Sequence, residues 1–242
     1  MAGTSRRNQP ISTCTHLVTL TFDDGFERSS LKTAEIFERF GLSASFNVVA
    51  RGHLGEPNES WHSRWPKGDF ALWNELRARG HEIMPHGYRH ANKAELPFEE
   101  AKRLIEACLE VFANELEGFD ARGAVFAFPY NASTPELEAW LPHVVRAFRT
   151  AGDAIMPLPR PGQHKLSCGG FGPGRCDEHL GRLVDELLAR PSGWLCFNAH
   201  GLDDEGWGPL SAATLERLLE RLVERDATGI LPPGAALDLA TQ

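Results

Sequence analysis

The chain has 242 residues, 42% hydrophobic and 24% charged, the composition of an ordinary globular protein with one large domain or two small ones. Its formal net charge of -8, from 33 acidic against 25 basic residues, argues against a phosphate-neutralising surface and so against a nucleic-acid partner. No run approaches the ~18 consecutive apolar residues of a membrane-spanning helix, and the five scattered cysteines (Cys14, Cys108, Cys168, Cys176 and Cys196) include no C-x-x-C pair, indicating neither a disulfide framework nor a thiolate zinc site.

The opening stretch MAGTSRRNQPISTCTH carries two arginines with no apolar run behind them, so it does not read as a signal peptide. The expectation is a cytoplasmic protein in which residues 1–16 form a flexible extension. From there, short apolar runs alternate with amphipathic stretches. Strands are predicted over Leu17–Phe22, Ala44–Val49 and His81–Met84, with helices over Leu31–Phe40, Phe70–Leu76 and Ala101–Leu116 set around them. Further strands follow at Ala124–Phe128, Val144–Phe148, Lys165–Cys168 and Trp194–Asn198, with a last short one at Gly229–Leu231. Helices are predicted over Leu180–Leu188 and Leu215–Val223, where ERLLERLVER reads as a solvated helix face. Cys196, inside an apolar strand, reads as a buried core thiol. Two stretches interrupt this alternation. Residues 51–68 are polar and hold Trp61, His62 and Trp65, while residues 157–174 contain nine glycines or prolines; both are expected to be loops, the second overlapping a strand candidate. Residues 17–242 read as a single α/β domain of about seven strand–helix units, closed or nearly closed into a barrel.

In such barrels functional groups sit where strands end. In Thr21-Phe22-Asp23-Asp24-Gly25 two adjacent carboxylates follow a buried strand. Neighbours on an extended backbone point opposite ways, so one carboxylate can ligate a cation while the other faces a neighbouring position, although Asp-Gly is also an ordinary turn signal. After the third strand, His86 and His90 stand four apart, which predicts both imidazoles on one face of a helical turn, within reach of one metal ion. Two histidines and a carboxylate form a three-ligand set that leaves positions open for water and substrate. His200 ends the apolar strand around Cys196, where its simplest reading is a hydrogen-bonded histidine at the barrel rim.

These three segments, with Phe126-Ala127-Phe128-Pro129-Tyr130 between the second and third, resemble the polysaccharide deacetylases of carbohydrate esterase family 4, the NodB-homology domain. The resemblance spans roughly Leu17 to Gly201, and GWGPLS with its following helix is similar to the family's usual ending. It implies a deformed (β/α) barrel, usually of seven strands, and a metal-dependent deacetylase acting on an acetylated carbohydrate. By this resemblance Asp23 is the general base, Asp24, His86 and His90 bind the metal, the Tyr130 backbone N–H holds the oxyanion, and His200 is the general acid. Zinc is the default ion for such ligands, and cobalt, nickel or iron would be held by the same set.

The chain also departs from the family pattern. Ala127 stands where an arginine beside the Pro-Tyr pair usually meets the base, Asn131 stands where glycine is frequent, and the family's Asp-Trp motif is not evident. The nearest candidate, Arg149 to Asp153, suggests Asp153, with Arg149 near it, as a partner of His200. Trp61, Trp65 and Trp207 are expected around the mouth, either stacking on sugar rings or packing the loops. Tyr88, Arg89 and Pro129 are placed with them as substrate contacts or as cover for the site. Competing readings are a deacylase of a small amide or O-acetyl ester using the same residues, and a sugar-binding module without chemistry.

Overall fold

The computed structural model describes residues 14–55, 64–170, 172 and 174–241. Trp61 and His62, and all but the last three residues of the expected extension, lie outside the described residues. Thr15 and His16 already belong to the fold, both donating to the Ala227 carbonyl.

In chain order the elements are β1 (His16–Asp23), α1 (Glu27–Arg39), β2 (Ser45–Val48), α2 (Phe70–Ala78), β3 (Glu82–Pro85), α3 (Phe98–Glu115), β4 (Val125–Ala127), α4 (Pro135–Trp140), β5 (Ala147–Ala151), β6 (Ile155–Met156), β7 (Lys165–Gly170), α5 (Cys176–Ala189), β8 (Gly193–Ala199), α6 (Ala212–Val223), β9 (Thr228–Ile230) and α7 (Pro233–Asp238). Seven strands form a parallel sheet in the order β3-β2-β1-β8-β7-β5-β4. It curls until its two edges nearly meet, giving the expected deformed (β/α) barrel. At the seam β3 and β4 share no ladder; the Val125 N–H instead donates to Met84 Sδ at 3.2 Å.

The two short extra strands complete the lower half of the wall. β9 pairs with β1 at His16–Val18, below the point where β2 takes over at Thr21–Asp23. β6 pairs antiparallel with β8 at Trp194 and Leu195, below the contact of β7 with Phe197 and Asn198.

Strand alternation separates two cores. Outward positions such as Leu20, Phe22, Phe46, Phe126 and Phe197 pack against the helices. Inward positions such as Leu17, Met84, Leu166, Trp194 and Cys196 fill the lower barrel. Cys196 is fully buried there, as expected. Among the described residues no helix is long and apolar enough to cross a membrane.

Several predicted elements shift. The strand expected over Val144–Phe148 is β5, at Ala147–Ala151; Val144 and Val145 close a turn by donating to the Leu141 carbonyl, so their apolar character serves packing at a helix end. The glycine-rich stretch 157–174 is not all loop, because β7 runs through Gly169 and Gly170. A Cβ at Gly169 would lie 2.7 Å from the Ala154 Cβ, so this glycine permits close approach of neighbouring backbone rather than breaking the strand. The short β6, α4 and α7 were not anticipated.

At the opposite end of the barrel from the strand C-termini, the Glu82 carboxylate accepts the Gly234 N–H of α7 at 3.0 and 3.2 Å. Burial raises its pKa from 4.5 to about 7. The native state therefore keeps this proton longer than the unfolded chain does, and ionising it costs stability progressively between pH 4.5 and about 7. Glu82→Gln keeps an acceptor for Gly234 without the charge. It should match the parent near pH 4 and exceed it by on the order of 1 kcal/mol at pH 8 in denaturant titrations. A difference independent of pH would contradict this.

Candidate active site

The C-terminal ends of the strands surround a cavity of about 650 Å³. Its chemistry comes from inward positions just above the apolar lower core. β1 ends at Asp23, and the chain then turns through Asp24 and Gly25, both with φ of 75°. Because Asp24 is left-handed rather than extended, the expected opposition of the two carboxylates does not arise. Both approach His86, whose Nε2 lies 3.9 Å from Asp23 Oδ2 and 3.6 Å from Asp24 Oδ1. Gly25 is required twice over, by its φ and because a Cβ would lie 2.9 Å from the Trp73 ring.

The histidine pair also departs from expectation. His86 follows β3 directly, and the segment through His90 is a bent loop rather than a helical turn. Gly87, at φ 93°, breaks the extended backbone, and a Cβ there would lie 3.0 Å from the Arg89 carbonyl. Lys93, fully buried, donates to the Ala91 carbonyl at 3.0 Å and reaches that of Arg89 at 3.4 Å, tying the loop beneath the site. The two imidazoles still converge, with ring centroids 5.4 Å apart.

Ligand atoms of Asp24, His86 and His90, all buried, lie within 4.8 Å of one another. His90 Nε2 is 3.3 Å and His86 Nε2 3.6 Å from Asp24 Oδ1. A tetrahedral ion with bonds of 2.0–2.1 Å spaces its donors by roughly 3.4 Å, so these atoms fit one divalent cation. His86 Nδ1 faces the Ala127 carbonyl at 2.9 Å, which assigns the ring proton to Nδ1 and the lone pair to Nε2. Burial, opposed by both aspartates, lowers the His86 pKa and favours the neutral ring that a metal needs.

Asp23 has a separate set of partners. Arg149, on β5 and 1% exposed, grips it with both terminal nitrogens: Nη1 donates to Oδ1 at 2.9 Å and Nη2 to Oδ2. The same Nη1 donates to Thr21 Oγ1 at 2.5 Å. Asn47 adds a donor to Oδ1 at 2.8 Å and Asn198 one to Oδ2 at 3.4 Å. Burial would raise the Asp23 pKa, but the Arg149 guanidinium, with His86 and His200 nearby, outweighs it and holds the carboxyl below its usual range.

Arg149 thus meets Asp23 rather than standing with Asp153 beside His200. It stands directly opposite Ala127 in the β4–β5 ladder, so the cation missing from β4 is supplied by the next strand at the same height. Asp153 is exposed, and its backbone carbonyl accepts the Ser167 hydroxyl at 2.8 Å; the expected contact with His200 is not made. His200 instead meets the Trp207 ring edge-on, with centroids 5.2 Å apart, and its buried Nδ1 has no hydrogen-bond partner among the described residues.

Tyr130 and Trp207, 55% and 40% exposed, stand at the cavity rim. Tyr130 has a left-handed backbone (φ 58°, ψ 10°), and its ring lies 4.6 Å from that of His90. The Trp207 loop is fastened to α1. Helix α1 has no side-chain cap of its own, and buried Glu205 accepts its Ser29 N–H at 2.5 Å while Ser29 Oγ accepts the Leu202 N–H at 2.9 Å.

The other proposed contacts fall elsewhere. Trp65 is not among the described residues lining the cavity; it packs edge-on against Phe26 and faces a neighbouring groove with Arg28 and Lys32. Tyr88 packs against the hydrophobic core, Arg89 pairs with Glu100 at 3.7 Å, and Pro129 is buried. Asn47 and Asn198 were missed. Their signal was a polar residue inside the otherwise apolar runs SFNV and CFNA.

Residues 11–141, more than half the chain, match the family model described as polysaccharide deacetylase. A comparison with curated proteins found no match. Among solved structures, peptidoglycan deacetylase PdaC from Bacillus subtilis is similar over 93% of this chain and 92% of that one, with TM-score 0.61 and 14% identity. A family 4 acetyl xylan esterase from Clostridium thermocellum, in complex with a cobalt ion, is similar over 92% and 91%, with TM-score 0.61 and 18% identity. Puue allantoinase is similar over 98% and 97%, with TM-score 0.65 and 11% identity. At these identities the likeness is one of fold, and it agrees with the family match along the first half of the barrel: the chain belongs to the polysaccharide deacetylase family.

Proposed function

We propose that the protein is a metal-dependent hydrolase that removes N-acetyl groups from an amino sugar, its oligomer or its polymer. One observation carries this reading. A cluster of three metal-ligand residues shares its cavity with a second carboxylate, Asp23, that is held independently by Arg149. A cluster serving structure alone would not need that second group.

Asp24, His86 and His90 would hold the cation, zinc by default, with cobalt, nickel or iron also suited to the set. When bound, such an ion polarises an acyl carbonyl and lowers the pKa of water toward ~7. Asp23 accepts the proton of the attacking water at Oδ2, the oxygen facing His86, which Arg149 Nη2 and Asn198 also hold, while Asn47 and Arg149 Nη1 fix Oδ1. The Tyr130 N–H is assigned to the developing oxyanion, a role typically worth about 3–4 kcal/mol. His200 delivers a proton to the departing amine, and Trp207 packs against the ring that must do so. Water and amide give acetate and a free amine.

The direct test is acetate release from N-acetylglucosamine oligomers with and without chelator. Release should stop with chelator and return with added zinc; release unaffected by chelator would overturn the metal-dependent reading. His86→Ala and His90→Ala should weaken metal binding by more than about a hundredfold in equilibrium dialysis, since they remove ligands rather than their supports.

Asp23→Asn should retain one equivalent of metal and lose at least ~10²-fold in kcat, as should His200→Ala. Full turnover by either variant would remove that residue from the chemistry. Arg149→Ala leaves Asp23 buried without its counter-charge, so about 3–5 kcal/mol of stability should be lost along with turnover. Because positions 127 and 149 face each other across the ladder, the double variant Ala127→Arg/Arg149→Ala should recover part of both. A double variant no better than Arg149→Ala would show that height in the ladder is not what matters.

A further inference from the structure

We propose that Glu205 is a positioning residue for His200, holding the loop that carries this proton donor against the first turn of α1. This inference rests on the deacylase reading above, in which His200 protonates the departing amine. A histidine in such a role ordinarily has its ring set by a hydrogen bond at Nδ1. Here Asp153 does not reach it, and the buried Nδ1 has no partner among the described residues. The ring contact that His200 makes among those residues is the edge-on one with Trp207. Its orientation therefore depends on what holds residues 201–210 in place.

That loop folds back on itself. Leu202 and Leu210 form a bridge, in which the Asp203 N–H donates to the Leu210 carbonyl at 2.8 Å and the Leu210 N–H to that of Gly201 at 3.1 Å. Glu205 and Gly206 lie directly on Gly201, the residue after His200. A Cβ at Gly201 would collide with the Glu205 carbonyl, and one at Gly206 would stand 3.0 Å from the Gly201 nitrogen. Gly206 in turn precedes Trp207. One attachment at Glu205 thus sets both His200 and the ring that it meets.

The attachment is a helix cap supplied from outside the helix. Phe26, at the cap position of α1, has no acceptor in its side chain. The third N–H of the helix, that of Ser29, donates to the Glu205 carboxylate at 2.5 Å, where the oxygen of a capping side chain would otherwise sit. Ser29 Oγ accepts the Leu202 N–H at 2.9 Å in return. Glu205 is 2% exposed, whereas the Asp203–Lys32 and Asp204–Arg28 pairs that also join loop to helix are exposed and contribute little. α1 is fixed from its other side as well, because the Glu27 N–H donates to the Pro66 carbonyl at 3.1 Å and the Gly68 N–H to that of Gly25 at 3.0 Å. It is the loop, rather than the helix with the Asp24 turn before it, that depends on the Glu205 bond.

The test follows acetate release from N-acetylglucosamine oligomers by the zinc-loaded protein and, separately, the His200 imidazole signals by NMR. Glu205→Ala should lower kcat by roughly ten- to a hundredfold with KM and zinc affinity unchanged, the effect of a displaced proton donor. It should also remove the shift that the Trp207 ring imposes on the His200 protons. Glu205→Gln keeps an acceptor for the Ser29 N–H and should recover most of both, while Asp204→Asn, which breaks only an exposed pair, should match the parent. In a His200→Ala background Glu205→Ala should cost nothing further, because no donor is left to position. Parental kcat in Glu205→Ala, or an equal fall with and without His200, would overturn the proposal. Should Glu205→Ala not fold, Ser29→Ala removes only the acceptor of the Leu202 N–H and should show the same losses to a smaller degree; parental kcat and shifts in it would overturn the proposal equally. If the parent protein releases no acetate, the deacylase reading falls and the NMR signals decide alone. His200 shifts kept in Glu205→Ala would then overturn the role of Glu205, and their loss in that variant with recovery in Glu205→Gln would support it.

Discussion

The buried pair between Asp23 and Arg149 ties the site to the fold. β1 and β5 are separated in the sheet by β8 and β7, so their side chains meet only across the lumen of a curled sheet. Two charges taken out of water cost several kcal/mol each, and the pair is tolerable because its geometry is bidentate and Thr21, Asn47 and Asn198 take up most of its remaining valences, leaving only the buried Arg149 Nε without a partner among the described residues. The neighbouring cysteines add no charge, since burial raises the Cys168 thiol to about 11 and pushes Cys196 up as well. With Arg149 cancelling the charge of Asp23 and His86 neutral, the Asp24 carboxylate is left to favour a dication without two bare anions side by side.

The incomplete seam of the barrel has a chemical use. Had β3 and β4 paired in a ladder, the carbonyl of Ala127 would be spent on the sheet. Because they do not, that carbonyl accepts the Nδ1 proton of His86 and aims the Nε2 lone pair at Asp24. The deformation of the barrel and the tautomer of one candidate ligand are thus the same structural fact.

Much of this was legible in the chain. Apolar runs gave the strands, and alternation within them predicts which residues face inward: Leu17, Thr19, Thr21 and Asp23 on β1, then Trp194, Cys196, Asn198 and, just beyond, His200. Residue types at strand ends pointed to His86, His90 and one carboxylate of the Asp23-Asp24 pair, and the family resemblance singled out Asp24. Their geometry was not legible, because it depends on left-handed turns at Asp24 and Gly87 that local spacing does not encode. The partner of Asp23 was hidden for a different reason. Arg149 lies 126 positions away, and only the ladder register with Ala127 reveals that it fills the vacant height. Glycine misled at β7, where it makes room for Ala154 and Asn198 rather than ending a strand.

Three of the six left-handed non-glycine residues among the described residues lie where β1 and β4 stop. Asp24 and Gly25 are both left-handed after β1, and Tyr130 and Asn131 are both left-handed just beyond β4. For non-glycine residues this conformation costs of order 1 kcal/mol or more each, and it persists only where surrounding contacts over-determine it. Here they do: Asn131 is held by Asn198, Cys168 and Thr150, and Gly25 leaves its space to Trp73. Two successive left-handed residues turn the chain sharply enough to bring a side chain such as that of Asp24 back over the lumen, where an ordinary exit from the strand would carry it outward. The rigid barrel below is what allows such turns to be kept, so the strained positions and the cavity they line depend on the same closed sheet.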